Sequence, residues 1–208
     1  SATLVLSSAT SVAEAIWLTE QGVEAVIAQG FEAGGHIGRF RPAPAGTETG
    51  LFALLPQIVD AVDLPVIAAG GIADERGIKA AFALGASAVQ IGTAYLHTPE
   101  ALVTDKHVAL LSSDAAYQTR FTNVISGGLA RGLPNRLIDD LGPINESAPR
   151  FPYASAALAE LRKAAESKGR TDFSTLWAGQ SARLAKPEPA EVLTRRLTAA
   201  ARKRKEDA

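Results

Sequence analysis

A short apolar run that ends in polar and glycine residues is the part of the sequence best suited to chemistry. Residues Ala25–Ala28 predict a buried strand, and Gln29, Glu32 and His36 follow closely behind it. In α/β folds, ligands bind and reactions occur at the carboxyl ends of parallel strands. An imidazole titrates near neutral pH, so His36 is a candidate to accept a proton from a carbon beside an electron-withdrawing group, or to bind an anion.

The other residues of this segment have predicted supporting roles. Gln29 can donate and accept hydrogen bonds, which suits the edge of a flat heteroaromatic ring. Glu32 is expected to orient the loop or to accept hydrogen bonds from backbone N–H groups, rather than to take part in catalysis. Gly34 and Gly35 come directly before His36, and this setting favours a functional role for the histidine over a structural one.

Two further glycine turns follow later apolar runs. Gly70 and Gly71 follow one run, and Gly92 and Thr93 follow another, just after Gln90. Glycine lets the backbone approach a ligand closely, and N–H groups at a helix start bind anions. The alternative is a pair of ordinary strand-to-helix turns. Two such turns on adjacent strands favour a phosphate-binding cup, and hence an organic cofactor that carries a phosphate.

The elements that would position these residues alternate between strand and helix. Strands are predicted at Thr3–Leu6, Ala25–Ala28, Pro65–Ala68 and Ala88–Ile91. Helices are predicted from Ser11 to about Gln21 with a Ser11–Glu14 capping box, over Leu51–Val62, from Asp74 to about Leu84, over Ala154–Ser167 and over Glu188–Lys203. Strands that are apolar on both faces and joined by helices indicate a parallel α/β sheet covered on both sides.

Four strands are too few for a closed eight-stranded barrel, which needs about 250 residues. The alternatives are a small open sheet and half of a TIM (β/α)8 barrel. In such barrels the loops after strands seven and eight hold phosphate, so the glycine turns favour the half-barrel, with the four strands as strands 5–8. We therefore predict the C-terminal half of a barrel over residues 1–113, and a mixed and helical segment packed on it over residues 114–208. The sequence does not begin with methionine, which agrees with strands 1–4 lying elsewhere.

Composition excludes several classes of protein. The 208 residues are 47% hydrophobic and 21% charged, with a net charge of -1, so no nucleic-acid partner is expected. No apolar run is long enough for a membrane span. The chain contains no cysteine, which agrees with a cytoplasmic protein and excludes a thiol nucleophile. No metal-ligand spacing appears, His97 and His107 are interpreted as ordinary, and the basic run at residues 202–205 is interpreted as a solvated tail.

Several motifs in the sequence resemble those of the FMN-dependent nitronate monooxygenase family. The resemblance covers nearly the whole chain, and it is carried by the segments SSATSVAEAIWL, AQGFEAGGHIG, LPVIAAGGIAD, LGASAVQIGTAYL, SGGLARGLPNRL and LWAGQSARLA. Three glycine motifs in this order are specific, although any one alone would be weak. The resemblance implies a TIM-barrel flavoenzyme with a helical segment after the barrel.

The resemblance also implies a cofactor, a reaction and site residues. FMN is the implied cofactor, and the matching positions are Gln29, Gly34, Gly35, Gly70, Gly71, Gln90, Ile91, Gly92 and Thr93. His36 matches the active-site histidine of the family. The implied reaction oxidises an alkyl nitronate, propionate 3-nitronate above all, with O₂ to a carbonyl compound and nitrite or nitrate. The expected partners are this small molecule and O₂, with either a homo-oligomer or a chain that supplies strands 1–4.

Three other functions remain open from the sequence. An FMN-dependent enoyl-acyl carrier protein reductase shares the glycine motifs but uses NAD(P)H, and Gln29 and the segment Trp177–Gln180 favour the monooxygenase over it. A non-catalytic truncated fragment and a flavin-free phosphate-binding barrel enzyme are the remaining alternatives. Because half of the barrel is expected to lie elsewhere, we predict that the 208-residue chain alone is insoluble or needs a partner.

Overall fold

A parallel sheet forms the centre of the computed structural model, which describes residues 3–44 and 46–202. Its strands are β1 (Leu6–Ala9), β2 (Ala25–Gln29), β4 (Val66–Ala69) and β5 (Ala88–Gln90). They lie side by side in the order β1-β2-β4-β5, and every neighbouring pair is parallel. The predicted parallel α/β sheet is therefore confirmed, and the carboxyl ends of all four strands meet at one edge.

The position of the first strand was predicted wrongly. The strand was expected at Thr3–Leu6, but it lies at Leu6–Ala9, where Leu6 pairs with Ala25 and Ala9 with Ala28. Leu4, at 70% exposure, lies outside the sheet, whereas Ala9 is fully buried. The pairing with β2 and the burial of small side chains under the helices outweigh the stronger β-propensity of the apolar run that precedes the strand.

Helices α1 (Val12–Glu20), α2 (Leu51–Ala61) and α3 (Glu75–Ala83) connect the parallel strands. The predicted caps are confirmed for two of them: the Ser11 hydroxyl accepts from the Glu14 N–H at 3.2 Å, and the Asp74 carboxylate accepts from the N–H groups at the start of α3. The reciprocal half of the capping box is shifted, because the Glu14 carboxylate accepts from the Thr10 N–H and hydroxyl. It also accepts from the N–H groups of Phe40 and Arg41.

A small antiparallel sheet that the sequence did not predict lies beside the parallel one. Its strands are β3 (Gly35–His36), β6 (Arg120–Thr122) and β7 (Ala130–Gly132), in the order β3-β7-β6. His36 pairs with Ala130, and Gly35 pairs with Arg131. The segment that carries the histidine is thus held by strands from the second half of the chain.

The remaining elements are short helices after the parallel sheet. They comprise α4 (Asp105–Leu111), α5 (Arg136–Leu141), α6 (Tyr153–Ala157), α7 (Ala159–Glu166), α8 (Ala190–Arg202) and three 3-10 turns at Thr93–His97, Asp114–Gln118 and Ala182–Leu184. The helix predicted over Ala154–Ser167 is divided at Leu158, which caps both α6 and α7. The predicted end at Lys203, and the basic run beyond Arg202, lie outside the described residues.

The main core lies between the parallel sheet and its helices, and α8 contributes to it. Buried side chains of α2 form this core with α8 residues Leu193 and Leu197. Arg196 on α8 donates hydrogen bonds to Glu75 on α3, at 2.6 Å, and to Glu188. The end of the described chain therefore packs back against the first half of the fold.

Candidate functional site

An open cleft of about 170 Å³ lies at the carboxyl edge of the parallel sheet. Most of the residues predicted to bind the cofactor line it: Gln29, Gly34, Gly70, Gly71, Gln90, Gly92 and Thr93. They come from the ends of β2, β4 and β5, which the sheet places side by side. The fold thus brings together residues that are far apart in the sequence.

The two glycine turns leave backbone donors available at the cleft. Within the described part of the chain, the N–H groups of Gly70, Gly71 and Gly92 donate no hydrogen bond to another residue. Gly70 and Gly71 have positive φ angles of 104° and 70°, a conformation that favours glycine. An adjacent set of free N–H groups on glycine backbones is the arrangement that binds phosphate.

Gly92 is a glycine that the chain's own packing does not require. A Cβ atom at this position would meet nothing within 4 Å, and the φ angle of -107° is open to any residue. The residue also lines the cleft. The open space beside Gly92 would let a ligand approach the backbone closely. This space is the feature of the cleft that best suits the binding of a phosphate group.

Gly34, by contrast, is needed because two chain segments cross there. A Cβ atom on Gly34 would lie 2.4 Å from the Gly179 nitrogen and 2.6 Å from the Ala178 carbonyl carbon. The Gly179 N–H donates to the Thr93 hydroxyl at 2.9 Å, and the Gln180 N–H donates to the Glu32 carbonyl. The segment after Trp177 therefore closes one side of the cleft, where it contacts the loop that carries Gly34 and the turn that carries Thr93.

Glu32 has the supporting role that the sequence predicted. Its two carboxylate oxygens accept from the Leu51 N–H at 3.0 and 2.8 Å. Leu51 is the first residue of α2, and the preceding Gly50 has no side chain to cap that helix. Glu32 thus replaces the missing cap from a distant loop and fixes the start of α2 to the wall of the cleft.

Gln29 lines the cleft, but its amide is already engaged within the chain. Its Nε2 donates to the His36 carbonyl at 3.1 Å, and its Oε1 accepts from the Gly38 N–H. Both contacts hold the loop that carries the histidine. The predicted contact with a flat ring stays a prediction, and the observed contacts assign Gln29 a positioning function for this loop.

His36 lies beside the cleft rather than in its lining. Its Nε2 lies 2.8 Å from the Ser126 hydroxyl, and its ring packs edge-on against Phe151 and Trp177, with centroids 5.1 and 5.4 Å away. The residue is exposed overall, yet the partial burial of its ring lowers the pKa of His36 below its ordinary value of 6.5. The neutral imidazole is therefore the form present at neutral pH, which a proton acceptor requires.

Two predicted cofactor residues lie away from the cleft lining. Gly35 is in β3, where its φ angle of 76° and its pairing with Arg131 shape the turn before the histidine. The Ile91 side chain packs against the main hydrophobic core. Any contact of these two residues with a cofactor would have to go through the backbone, and it remains a prediction.

His97 and His107 are buried at positions away from the cleft. The ring nitrogens of His97 have no hydrogen-bond partner among the described residues, and burial, together with the charge of Arg183, lowers its pKa. Burial also lowers the pKa of His107. Among the residues that the structure describes, no group of histidine, cysteine, aspartate or glutamate side chains could hold a metal ion.

Sequence comparison then assigns the family. Residues 1–200 match the family profile described as nitronate monooxygenase. The chain belongs to the nitronate monooxygenase family. It is 44% identical over 194 residues to a nitronate monooxygenase of Pseudomonas aeruginosa and 40% identical over 190 residues to a probable nitronate monooxygenase of Staphylococcus aureus. These alignments cover 93% and 91% of this chain but 55% and 54% of the relatives, so the chain spans about half of their length.

Solved structures agree with membership in the nitronate monooxygenase family. A nitroalkane oxidase from Streptomyces ansochromogenes aligns with a TM-score of 0.90 and 41% identity, over 99% of this chain and 60% of that protein. FabK from Thermotoga maritima aligns with a TM-score of 0.74 and 29% identity, over 99% of this chain and 63% of that protein. The fold is therefore α/β with a parallel sheet of the kind found in these barrel-like relatives.

Some cleft residues of this family member were not predicted from the sequence. The additional lining residues are Ser8, Ile27, Ala33, Ala69, Ile72, Gly179 and Ser181. Ser8 was missed because β1 was placed too early, so that the end of the strand fell in the wrong position. Gly179 and Ser181 belong to the segment LWAGQSARLA that supported the resemblance, and this motif was the available signal.

No helix in the described ranges, residues 3–44 and 46–202, is both long and apolar enough to cross a membrane.

Proposed function

We propose that this chain carries the phosphate-binding turns and the proton-accepting histidine of an FMN-dependent nitronate monooxygenase. In this proposal residues 1–113 are strands 5–8 of an FMN-binding barrel, and residues 114–208 pack on it. The open space at Gly92, beside the free N–H groups of Gly70 and Gly71, is the observation that carries the cofactor assignment. The lack of cysteine agrees with a cytoplasmic enzyme.

The residues of the cleft would divide the work of binding. The N–H groups of Gly70, Gly71 and Gly92 would bind the phosphate of FMN, and Thr93 would keep the 177–180 segment against that turn through its bond to Gly179. Gln29 would hold the histidine loop at the flavin side of the cleft. When bound, FMN would supply an electron acceptor for the oxidation of a nitronate, with O₂ as the second reactant.

His36 would act on the substrate in one of two ways. Its neutral ring can remove the proton from the carbon next to the nitro group of a nitroalkane, or it can bind the nitronate anion. Phe151 and Trp177 pack edge-on against the ring and hold its orientation. We propose propionate 3-nitronate as the substrate, with a carbonyl compound and nitrite or nitrate as products.

The test uses two variants, and each is purified together with any second chain that co-purifies with it. Because a Cβ at position 92 would meet only the ligand, Gly92→Ala should keep the unfolding midpoint and weaken FMN binding at least about tenfold, measured by flavin fluorescence. His36→Asn should keep FMN affinity and lower turnover of neutral nitroalkane about 10²-fold or more, with a smaller loss on preformed nitronate.

The test can contradict the cofactor site or the reaction class, and it decides between the two roles of His36. Equal FMN affinities in the parent and in Gly92→Ala, or no saturable binding, would overturn the cofactor site. Equal losses of His36→Asn on nitroalkane and nitronate would assign the histidine to anion binding rather than to proton removal. Rapid flavin bleaching on anaerobic mixing with NADH would favour the enoyl-acyl carrier protein reductase instead.

A further inference from the structure

The Ser126 hydroxyl lies within hydrogen-bond distance of three polar atoms, one of them Nε2 of His36. The serine is 3% exposed and lies in the turn between β6 and β7. Its Oγ is 2.8 Å from His36 Nε2, 3.2 Å from the Gly128 carbonyl oxygen and 3.4 Å from the Gly128 nitrogen. Three polar partners therefore surround one buried hydroxyl.

The hydrogen count of the hydroxyl allows one assignment that satisfies all three contacts. A serine hydroxyl has one proton to donate and two lone pairs that accept. The Gly128 carbonyl can only accept and the Gly128 N–H can only donate. If the hydroxyl proton goes to the carbonyl, the two lone pairs accept from the Gly128 N–H and from His36 Nε2–H. The opposite assignment, with donation to the ring, leaves the carbonyl contact without a hydrogen.

We propose that Ser126 is a positioning residue that holds His36 with its proton on Nε2, so that the Nδ1 lone pair is the proton acceptor. This inference rests on the proposed function and specifies the atom that performs its first step. Nδ1 makes no hydrogen bond with any residue in the described part of the chain. The imidazole therefore presents one free basic nitrogen.

The proton transfer balances at these atoms. The C–H bond next to the nitro group breaks, a bond forms between that proton and Nδ1, and the electron pair stays on the substrate as the nitronate. His36 becomes an imidazolium whose Nε2–H still donates to the Ser126 oxygen. A hydrogen bond that is present before and after the transfer, and that strengthens when its donor becomes charged, favours the product of the step.

The turn that carries Ser126 is fixed in place by its neighbours. Gly127 has a φ angle of 85°, and a Cβ atom there would lie 2.1 Å from the Pro149 carbonyl oxygen and 2.4 Å from the Phe151 nitrogen. The hydroxyl and the aromatic ring next to His36 are thus held by one tight crossing of the chain. A substitution that moves this turn would move both.

Two charged residues lie next to the partners of His36 in the described structure: Arg131 on β7 and Arg150 before Phe151, and neither contributes to the pKa shift of His36. Arg131 is directed elsewhere, because its guanidinium donates to the Phe31 and Thr119 carbonyls. The lowered pKa of His36 has burial as its cause. The hydrogen bond from the ring to Ser126 is therefore the local contact through which a substitution can be expected to change its proton affinity.

Nitrogen NMR of the imidazole rings in the purified protein tests the tautomer directly. The chain has three histidines, so His36→Asn assigns the signals. We expect a protonated-type Nε2 and an unprotonated-type Nδ1 for His36. In Ser126→Ala the imidazolium loses an acceptor, so the proton affinity of His36 should fall about tenfold and its pKa should decrease.

The sign of this change separates the two assignments. If the hydroxyl donated to Nε2, its removal would destabilise the neutral ring, and the pKa of His36 would rise. A rise, or an Nδ1–H tautomer in the unsubstituted protein, overturns the proposal. Ser155→Ala is the matched control, because it removes another hydroxyl bond in this region, to the Ile125 carbonyl, without contact to the histidine.

Turnover and a conservative variant complete the design. Ser126→Ala should reduce turnover of neutral nitroalkane more than turnover of nitronate and shift the acid limb of the pH profile to lower pH. Ser126→Thr keeps the hydroxyl and should restore the pKa. The NMR measurement needs no substrate, so the two proposals can fail separately. If His36 has the predicted tautomer but the protein does not turn over nitronate, only the proposed function is overturned. If the pKa of His36 rises in Ser126→Ala, the role of Ser126 is overturned whether or not nitronate is turned over.

Discussion

At the scale of single residues, Gly34 has two separate reasons to be a glycine. The sequence predicts a glycine that a cofactor approaches, and the residue does line the cleft. The structure adds a second constraint, since the backbone of Ala178 and Gly179 crosses within 2.6 Å of where a Cβ atom would be. That constraint could not be predicted, because nothing in the local sequence indicates which distant segment crosses there.

Gly34→Ala should therefore act through the crossing segment. We expect a loss of about 1–3 kcal/mol in the free energy of unfolding, because backbone atoms must shift to admit the methyl group. The fluorescence of Trp177, measured with Trp17 replaced by phenylalanine, should report the displaced segment. Gly92→Ala is the matched control, since it adds the same methyl group in open space. Equal stabilities of the two variants would contradict the crossing as the reason for Gly34.

For Gln29, the residue type predicted a polar contact, but the sequence did not predict which atoms it contacts. An amide at the end of β2 indicates a polar contact at the sheet edge, and the contact exists. Its partners are the backbone atoms of His36 and Gly38, which the loop brings back by a path that the sequence leaves open.

At the scale of elements, the helix caps and the parallel sheet were predicted, but the start of β1 and the antiparallel sheet were not. Ser11 and Asp74 begin α1 and α3 as expected, because a cap bonds to atoms two or three residues away. The start of β1 and the short strands β3, β6 and β7 depend on partners far along the chain. Two or three residues of strand carry no period that a sequence pattern can reveal.

Glu14 on α1 is the clearest electrostatic anchor among these elements. It is 1% exposed, and although burial acts to raise its pKa, hydrogen bonds from Arg41, Thr10 and Phe40 outweigh this effect and lower the pKa below 4.5. The folded state thus holds the charged carboxylate more tightly than the unfolded chain does. This stabilisation is present above the ordinary pKa and is lost as the pH falls through the lowered pKa of the folded state.

Glu14→Gln should destabilise the fold by about 2–3 kcal/mol at neutral pH, since the amide cannot accept all of these bonds. Denaturant unfolding at a series of pH values should show the difference from the parent shrinking as the pH falls below 4.5. Glu20→Gln, an exposed change on the same helix, should have little effect. A pH-independent difference would contradict the role of the charge.

At the scale of the whole molecule, the parallel sheet has two open sides. Within the described residues, β1 and β5 each pair with one neighbour only. Leu4, Val5 and Leu6, at and before the start of β1, are between 51% and 70% exposed. An unpaired strand with exposed apolar residues is a template for pairing with another chain, so this edge is where we expect strands supplied by a partner to dock.

Leu6→Lys should reduce self-association of the isolated 208-residue chain, because Leu6 is the half-exposed first residue of β1 and a lysine on an edge strand opposes edge-to-edge pairing. Light scattering as a function of protein concentration measures the effect. Phe52→Lys replaces a 74% exposed residue on α2 and is the control for a general gain in charge. Equal effects of the two substitutions would show that the β1 edge has no special part in association.

The bonds that join the cleft to the later chain also bear on the order in which the protein folds. The Gly179 N–H reaches Thr93 across 86 positions of sequence, and Arg131 reaches the Phe31 carbonyl across 100. Contacts between such distant positions form late, and a growing chain folds from its amino end during synthesis. The glycine turns are therefore expected to leave the ribosome before the segment that encloses them, and during that interval an early cofactor would meet an unfinished cleft.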